Sequence, residues 1–346
     1  MPRPAIAVVG AGILGCAIAR EVAARRPDVA LTLLDRDLVG SGATRRSAGL
    51  HLPAGHTARI RRMAAHSEDY YRRLKHAHPE LPIYPVRTTV VAPEGDISRL
   101  SETYLSRARL APEGDLPSSA VTIPPGAGAW NVEGCQYADV YALSQALARE
   151  LRRCGNVRES VRVTGLETTR DGVALRLGNG AAINVGQVVL APGPWLGCSA
   201  WASLVAPLGL RVKKIVALHV EKPPAEHDRA IVFPDADAFL LPVPHRGHWL
   251  FSHPSQEWDV NPDDLSAGLS RDDLDEARRC LCRYAPSLAD HATSGRVFCD
   301  AYSPGREPVV RALDGAGRIV FAGAANGSGY RLAPAIASEA ADLLRL

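Results

Sequence analysis

Ala5-Ile6-Ala7-Val8-Val9-Gly10-Ala11-Gly12-Ile13-Leu14-Gly15 is the stretch that decides the fold, together with the helix-like run Cys16 to Arg25 and the closing Val29-Ala30-Leu31-Thr32-Leu33-Leu34-Asp35. Five apolar residues ended by glycine read as a buried parallel strand. The alanine-rich stretch after Gly15 reads as a helix, and Val29–Leu34 as a second strand. Strand, G-x-G-x-x-G, helix, strand and acid, in that order, is the pattern of a dinucleotide-binding unit. Gly10 permits the tight turn, Gly12 lets the backbone approach a pyrophosphate with no Cβ in the way, and Gly15 lets the helix pack on the strand. Ile13 and Leu14 open the helix, whose unpaired N–H groups and partial positive charge face the phosphates. Asp35, with Arg36 beside it, is placed to accept hydrogen bonds from the adenosine ribose. An acid there disfavours a 2′-phosphate and so NADP, leaving NAD or FAD.

Outward from this unit, 346 residues suggest two domains, or one large domain with an insertion. Apolar residues make up 46% and charged residues 22%, too hydrophobic for a disordered chain. Lys plus Arg (40) against Asp plus Glu (37) leaves only +3, so nucleic acid is not an expected partner. No apolar run approaches the roughly 20 residues of a membrane span. The first residues already read as a folded strand rather than a secretory leader, and the cysteine count is odd. A soluble, cytoplasmic protein is expected.

Gly40-Ser41-Gly42-Ala43-Thr44-Arg45-Arg46-Ser47-Ala48-Gly49-Leu50-His51 is rich in donors for a pyrophosphate or a flavin, although the composition equally suits a plain loop. The G-A-T-R-R-S-A-G run resembles the second cofactor segment of the D-amino-acid oxidase superfamily. That family of FAD-dependent oxidoreductases includes the glycine and sarcosine oxidases and the D-amino-acid and hydroxyproline dehydrogenases. The resemblance continues in order through Tyr137-Ala138-Asp139-Val140 and a helix from Tyr141 to Arg153, then Val161-Arg162-Val163. It runs on through Val188-Val189-Leu190-Ala191-Pro192-Gly193-Pro194-Trp195 to Ile319-Val320-Phe321-Ala322-Gly323. It closes with Asn326-Gly327-Ser328-Gly329-Tyr330-Arg331-Leu332-Ala333-Pro334 and a helix from Ala335 to Leu344.

What the resemblance implies is an α/β protein with a discontinuous Rossmann-type FAD-binding domain and a mostly antiparallel substrate-binding sheet domain. The FAD-binding domain is expected over 1–80, 135–200 and 296–346, and the substrate-binding domain over 81–134 and 201–295. Strands are expected at Thr88–Val91, Leu208–Val220, Ala238–Pro242 and His248–Ser252. A surface helix is expected from Asp272 to Tyr284, capped by Ser270. FAD would contact Gly10, Gly12, Ile13, Leu14, Gly15, Asp35 and Arg36, and then Thr44, Arg45, Arg46, Ser47, Ala48, Gly49 and Leu50. Val163, Ala191, Gly193 and Trp195 would add to this set, as would Gly323, Gly327, Ser328, Gly329, Tyr330, Arg331 and Leu332. Sarcosine oxidases carry a flavin-linked cysteine near Cys299, but the register here is off by one residue, so non-covalent FAD is expected.

For catalysis, Arg331 stands where the sarcosine oxidases carry a carboxylate-binding lysine, and an arginine grips a carboxylate bidentately. Tyr330 beside it either orients substrate or packs. Arg59 and Arg62 lie three apart on an amphipathic helix whose stripe is Ile60, Met63, Tyr70 or Tyr71, and Leu74. They form either a solvated basic face or, by the resemblance, a cationic wall beside the flavin. Tyr302 and His51 complete the candidate catalytic set. The family's "G-L-R-P" arginine is replaced here by Ser303, which leaves carboxylate binding by that route open. Neither Cys280-x-Cys282 nor His245, His248 and His253 has metal spacing.

The expected activity is oxidation of a small amino or imino acid carrying a carboxylate, with hydride passing to flavin N5, an imine product, and oxygen or another carrier as acceptor. The alternatives are a flavin-binding subunit of a hetero-oligomeric dehydrogenase, or an NAD-dependent dehydrogenase.

Overall fold

The computed structural model describes residues 5–113 and 121–344. Its first sheet has six strands in the order Val309–Ala312, Ile319–Gly323, Gln187–Leu190, Ala5–Val9, Ala30–Leu34, Asn156–Arg158. All neighbours are parallel except the Val309–Ala312 edge. The central strands are apolar except for Gln187 because both their faces are covered. Helices Ile13–Arg25 and Gly329–Leu343 pack against each other on one face. Ala17, Ala19, Ala333, Ala337 and Ala340 are buried within that layer, where short side chains allow close approach. A three-stranded antiparallel sheet, Val163–Thr168, Val173–Leu177 and Ala182–Val185, packs with the other face.

The second large sheet has eight strands, ordered Ala292–Tyr302, Arg211–Val220, His248–Trp258, Ala238–Val243, Ala230–Phe233, Thr88–Pro93, Ala127–Val132, Ala111–Pro112. It is antiparallel apart from the pairing of Ala230–Phe233 with Thr88–Pro93. Strand alternation gives it two unlike faces. Val216, Leu218, Leu240, Trp249 and Phe251 bury against Ala277, Leu281 and Tyr284 of the helix Arg271–Tyr284. Each such buried side chain contributes about 1.5–3 kcal/mol. The other face carries Ala217, Leu241 and Leu250, packed with Tyr137, Ala48 and Leu50 beside the cofactor turn.

The four expected strands are present: three run further than their patterns suggested, Thr88 to Pro93, Ala238 to Val243 and His248 to Trp258, whereas the one expected from Leu208 begins at Arg211. The helix Arg271–Tyr284 starts in a capping box between Ser270 and Asp273. Two boundaries differ from expectation. A division at residue 296 falls inside the strand Ala292–Tyr302, which pairs with Arg211–Val220 along its whole length and belongs to the eight-stranded sheet. The last helix starts at Gly329 rather than Ala335, so Pro334 lies inside it.

Candidate functional site

The glycine turn is set by backbone contact. Gly10 has φ +101°, and any Cβ there would strike the Ala191 carbonyl, while one on Gly15 would strike the carbonyl of Gly10. The Gly10 N–H donates to the Leu34 carbonyl at 2.8 Å. Asp35 accepts from the Ala11 N–H at 2.6 Å and from the Asp37 N–H at 2.8 Å, which holds its carboxylate at the mouth of the turn. Burial pushes the Asp35 pKa up, and those two N–H bonds pull it back. Thr44 Oγ1 accepts from the Ile13 N–H at 3.0 Å, satisfying one of the free donors of the first helical turn from the second cofactor segment.

A cavity of about 680 Å³ opens at this turn, a size typical of cofactor sites. Its walls include Gly10, Gly12, Ile13, Leu14, Asp35, Arg36, Thr44 and Ser47, then Val163, Ala191, Gly193 and Trp195, and finally Gly327, Gly329 and Tyr330. The sequence reading missed the contribution of the second sheet: Val212, Phe298, Asp300 and the segment 259–263 also line it. Asp263 accepts from Trp195 Nε1 at 2.8 Å and pairs with Arg36 at 2.9 Å, while the Arg36 guanidinium lies 5.1 Å from the Trp195 ring centre. Alternation along the strand ending at Tyr302 is the signal that could have found Phe298 and Asp300; the 259–263 segment carries no motif.

The groove fits a flavin dinucleotide on two structural counts. Its N-terminal helical turn keeps donors aimed into it with no Cβ at Gly12, where one would stand 3.0 Å from Thr44 Oγ1. The Tyr330 hydroxyl on its wall is buried without a hydrogen-bond partner among the described residues. Burial raises the pKa of Asp300, which also lines the groove, to about 6.

Several expected contacts lie elsewhere. Arg45 stacks over the Tyr141 ring at 5.6 Å and, with Ala48, lines a different cavity. Arg46 is exposed and donates back to the carbonyls of Ser41 and Gly42. Gly49 is pressed against the Ala138 carbonyl, and Leu50 packs with the second sheet. Gly15 is likewise a packing residue, Gly323 abuts the Phe321 ring, and Leu332 is fully buried in the core. Ser328 bonds Arg331 rather than facing the groove. Cys299 does not line the groove, whereas its neighbours Phe298 and Asp300 do.

The catalytic candidates separate in the same way. Arg59 is taken up by Glu307 at 3.0 Å and Glu339 at 2.5 Å, ion pairs that tie its helix (Ala58–Ala77) to the turn before Val309–Ala312 and to the last helix. Arg62 is exposed, because the buried face of that helix runs through Ile60, Met63, Tyr71 and Leu74. Arg62 thus lies on a solvated face, whereas Arg59 fits neither alternative, being neutralised by two glutamates. Arg331, in the first turn of the last helix, donates to the Ala54 carbonyl at 3.2 Å and to Ser328 Oγ at 2.9 Å. No carboxylate among the described residues pairs with it. Burial lowers its pKa, and Tyr104 and Asp237 act in the opposite direction. Burial raises the Asp237 pKa, while Lys213, Arg306, His253 and Arg331 act on it electrostatically in the opposite direction. His51 is fully buried with both ring nitrogens unpartnered, and burial, then Arg331, lowers its pKa to about 3. Tyr302 stands edge-on to Trp258 at 5.3 Å, with the Lys213 ammonium 5.8 Å from its ring.

A parallel dinucleotide sheet with its groove roofed by an antiparallel sheet defines a flavin-dependent oxidoreductase. Residues 5–343 match the family described as FAD dependent oxidoreductase, and the chain belongs to it. It is an enzyme whose cofactor is FAD, which sets NAD aside. An uncharacterized oxidoreductase, YurR, of Bacillus subtilis (strain 168) is 25% identical, over 97% of this chain and 94% of that one. Glycine oxidase from Geobacillus kaustophilus superposes with TM-score 0.79 at 17% identity, covering 98% of this chain and 94% of its own. L-proline dehydrogenase from P. horikoshii gives 0.76 at 17% identity, covering 99% and 93%. These structural likenesses are likenesses of fold. No helix among the described residues is long and apolar enough to cross a membrane.

Proposed function

We propose that this FAD enzyme oxidises a small amino or imino acid at the carbon next to nitrogen, yielding an imine. The observation that carries the reading is Arg331: a half-buried guanidinium, anchored by Ala54 and Ser328, with which no carboxylate among the described residues forms an ion pair, Asp237 acting on it only at longer range. A substrate carboxylate would complete it, at roughly 1.5–3 kcal/mol for a charge-assisted bond. The proteins of like fold, a glycine oxidase and an L-proline dehydrogenase, carry amino-acid substrates in their names.

In this reading FAD, when bound, accepts the hydride. The glycine turn and Thr44 hold its pyrophosphate, Asp35 its adenosine ribose, and Gly327, Gly329 and Tyr330 border the reacting end, without a covalent link. Arg331 holds the carboxylate and so directs the Cα–H. Lys213 and Arg306, which with Arg331 act electrostatically on Asp237, disfavour an ammonium and keep the amine in its neutral, oxidisable form. Segments 5–80, 135–200 and 303–344 form the cofactor half, and the eight-stranded sheet roofs it. Oxygen or another carrier takes the electrons.

The test is the visible spectrum of the purified protein without oxygen, before and after a panel of amino and imino acids. Bleaching of the flavin band by one of them supports the reading, and admitting air then identifies the acceptor. A band that no amino or imino acid bleaches refutes it.

A further inference from the structure

On the other side of the turn Ala43–Arg46 lies a second, smaller cavity of about 30 Å³, room for two or three waters by the usual allowance per water. Its wall is cationic. Arg45, Arg246 and Arg296 all line it, with His245 and His248 between them. Against three guanidinium groups stands one carboxylate, Asp139, and that is committed twice: Oδ1 caps the Ala142 N–H at 3.0 Å and Oδ2 pairs with Arg246 at 2.5 Å. The Arg45 guanidinium lies over the Tyr141 ring and forms no ion pair among the described residues.

Arg296 is the residue that calls for an explanation. It projects from the strand Ala292–Tyr302. Among the described residues its side chain makes one hydrogen bond, from Nη1 to the Arg45 carbonyl at 3.4 Å, and its buried Nε has no partner. A charge held this way without a counter-ion is costly. Burial, and then neighbouring Arg246, pull its pKa down to about 10. The same cations act on the histidines. His219, whose ring lies 4.8 Å from His248, is lowered to about 4, by burial first and Arg296 second.

We propose that this cavity is a binding site for a small oxyanion, a phosphate or carboxylate group, held by Arg296 with Arg45 and Arg246. The anion supplies the negative charge that the chain itself omits, and the cavity volume admits a group of that size and little more. Thr44 and Ser47 line both this cavity and the cofactor groove, so a single turn of chain separates the two sites.

The experiment uses the purified FAD-loaded protein and follows its melting temperature while inorganic phosphate is titrated against chloride at matched ionic strength. Malonate in a parallel series distinguishes a phosphate preference from general carboxylate binding. A saturable rise with either anion is expected in the parent protein. In Arg296→Met, and in Arg45→Met as an exposed variant not expected to disturb folding, the dissociation constant should weaken roughly tenfold or more. NMR titration of the histidines gives a second readout, because a bound anion should raise the His219 and His248 pKa values. No rise beyond the chloride control overturns the proposal, as does undiminished affinity in either variant.

Discussion

The Tyr71 hydroxyl donates at 2.7 Å to the carbonyl of Tyr330, and the two rings stack at 4.6 Å. That carbonyl lies four residues before Pro334, the position whose missing N–H would otherwise have served it inside the helix Gly329–Leu343. Tyr71 thus repairs the one gap that proline leaves in the first turns, and the first turn carries Arg331. Tyr71→Phe should strand a buried carbonyl, costing about 1–3 kcal/mol. A lower melting temperature together with a raised KM is expected; an unchanged melting curve would contradict this role.

Arg331→Ala should raise KM for carboxylate substrates roughly ten- to a hundredfold with flavin still bound, through loss of a charge-assisted contact. Arg331→Lys should recover part of that, since it restores charge without the fork. Steady-state kinetics with flavin content measured alongside would decide; an unaltered KM in the alanine variant removes the clamp.

Arg59→Gln provides the contrast. Its partners are Glu307 and Glu339 rather than any cavity, so the melting temperature should fall slightly while KM stays put. A large KM change would return Arg59 to the substrate.

Gly12→Val should abolish the flavin band, because a side chain there enters the space between the turn and Thr44 Oγ1. Retained yellow colour after purification would refute the groove assignment. Gly15→Val should do worse and yield no folded protein, since its Cβ meets the Gly10 carbonyl.

Asp300 has a folded pKa of about 6 against 3.8 unperturbed, so folding favours its protonated form. Its contribution is fully present below the unfolded pKa and is lost as pH rises through the folded one. Between about pH 4 and 6 the cofactor-free protein should therefore lose up to about 3 kcal/mol from this group. Asp300→Asn should remove that slope, melting higher than the parent at pH 7.5 but not at pH 4. Parallel pH profiles for the two proteins would show the assignment to be wrong.

How much was legible in advance differs from residue to residue. Gly10, Gly12, Asp35 and the flanking strands were readable because a tight turn and a close backbone approach each admit one residue type, and the spacing of such residues survives in the sequence. Ser270 and the helix Arg271–Tyr284 were readable for the same local reason, a cap followed by an apolar period. Arg45 and Arg46 were misplaced because a turn of four residues, Ala43–Arg46, sends neighbouring side chains in different directions. Composition does not record which way each one points. Arg59 was misjudged because its partners Glu307 and Glu339 are 248 and 280 residues away along the chain.

By itself, then, the sequence determined the dinucleotide sheet, the glycine turn and the family, since these depend on local sterics and on the period of apolar residues. Tertiary structure alone decided what faces the cofactor from above and which cations lack a partner. Phe298, Asp300 and the 259–263 segment reach the groove only through the pairing of the eight-stranded sheet. Arg331 and Arg296 stand out only once the carboxylates of the described residues have been placed. A charge is a property of a residue, but its neutralisation depends on distances between groups far apart in the chain.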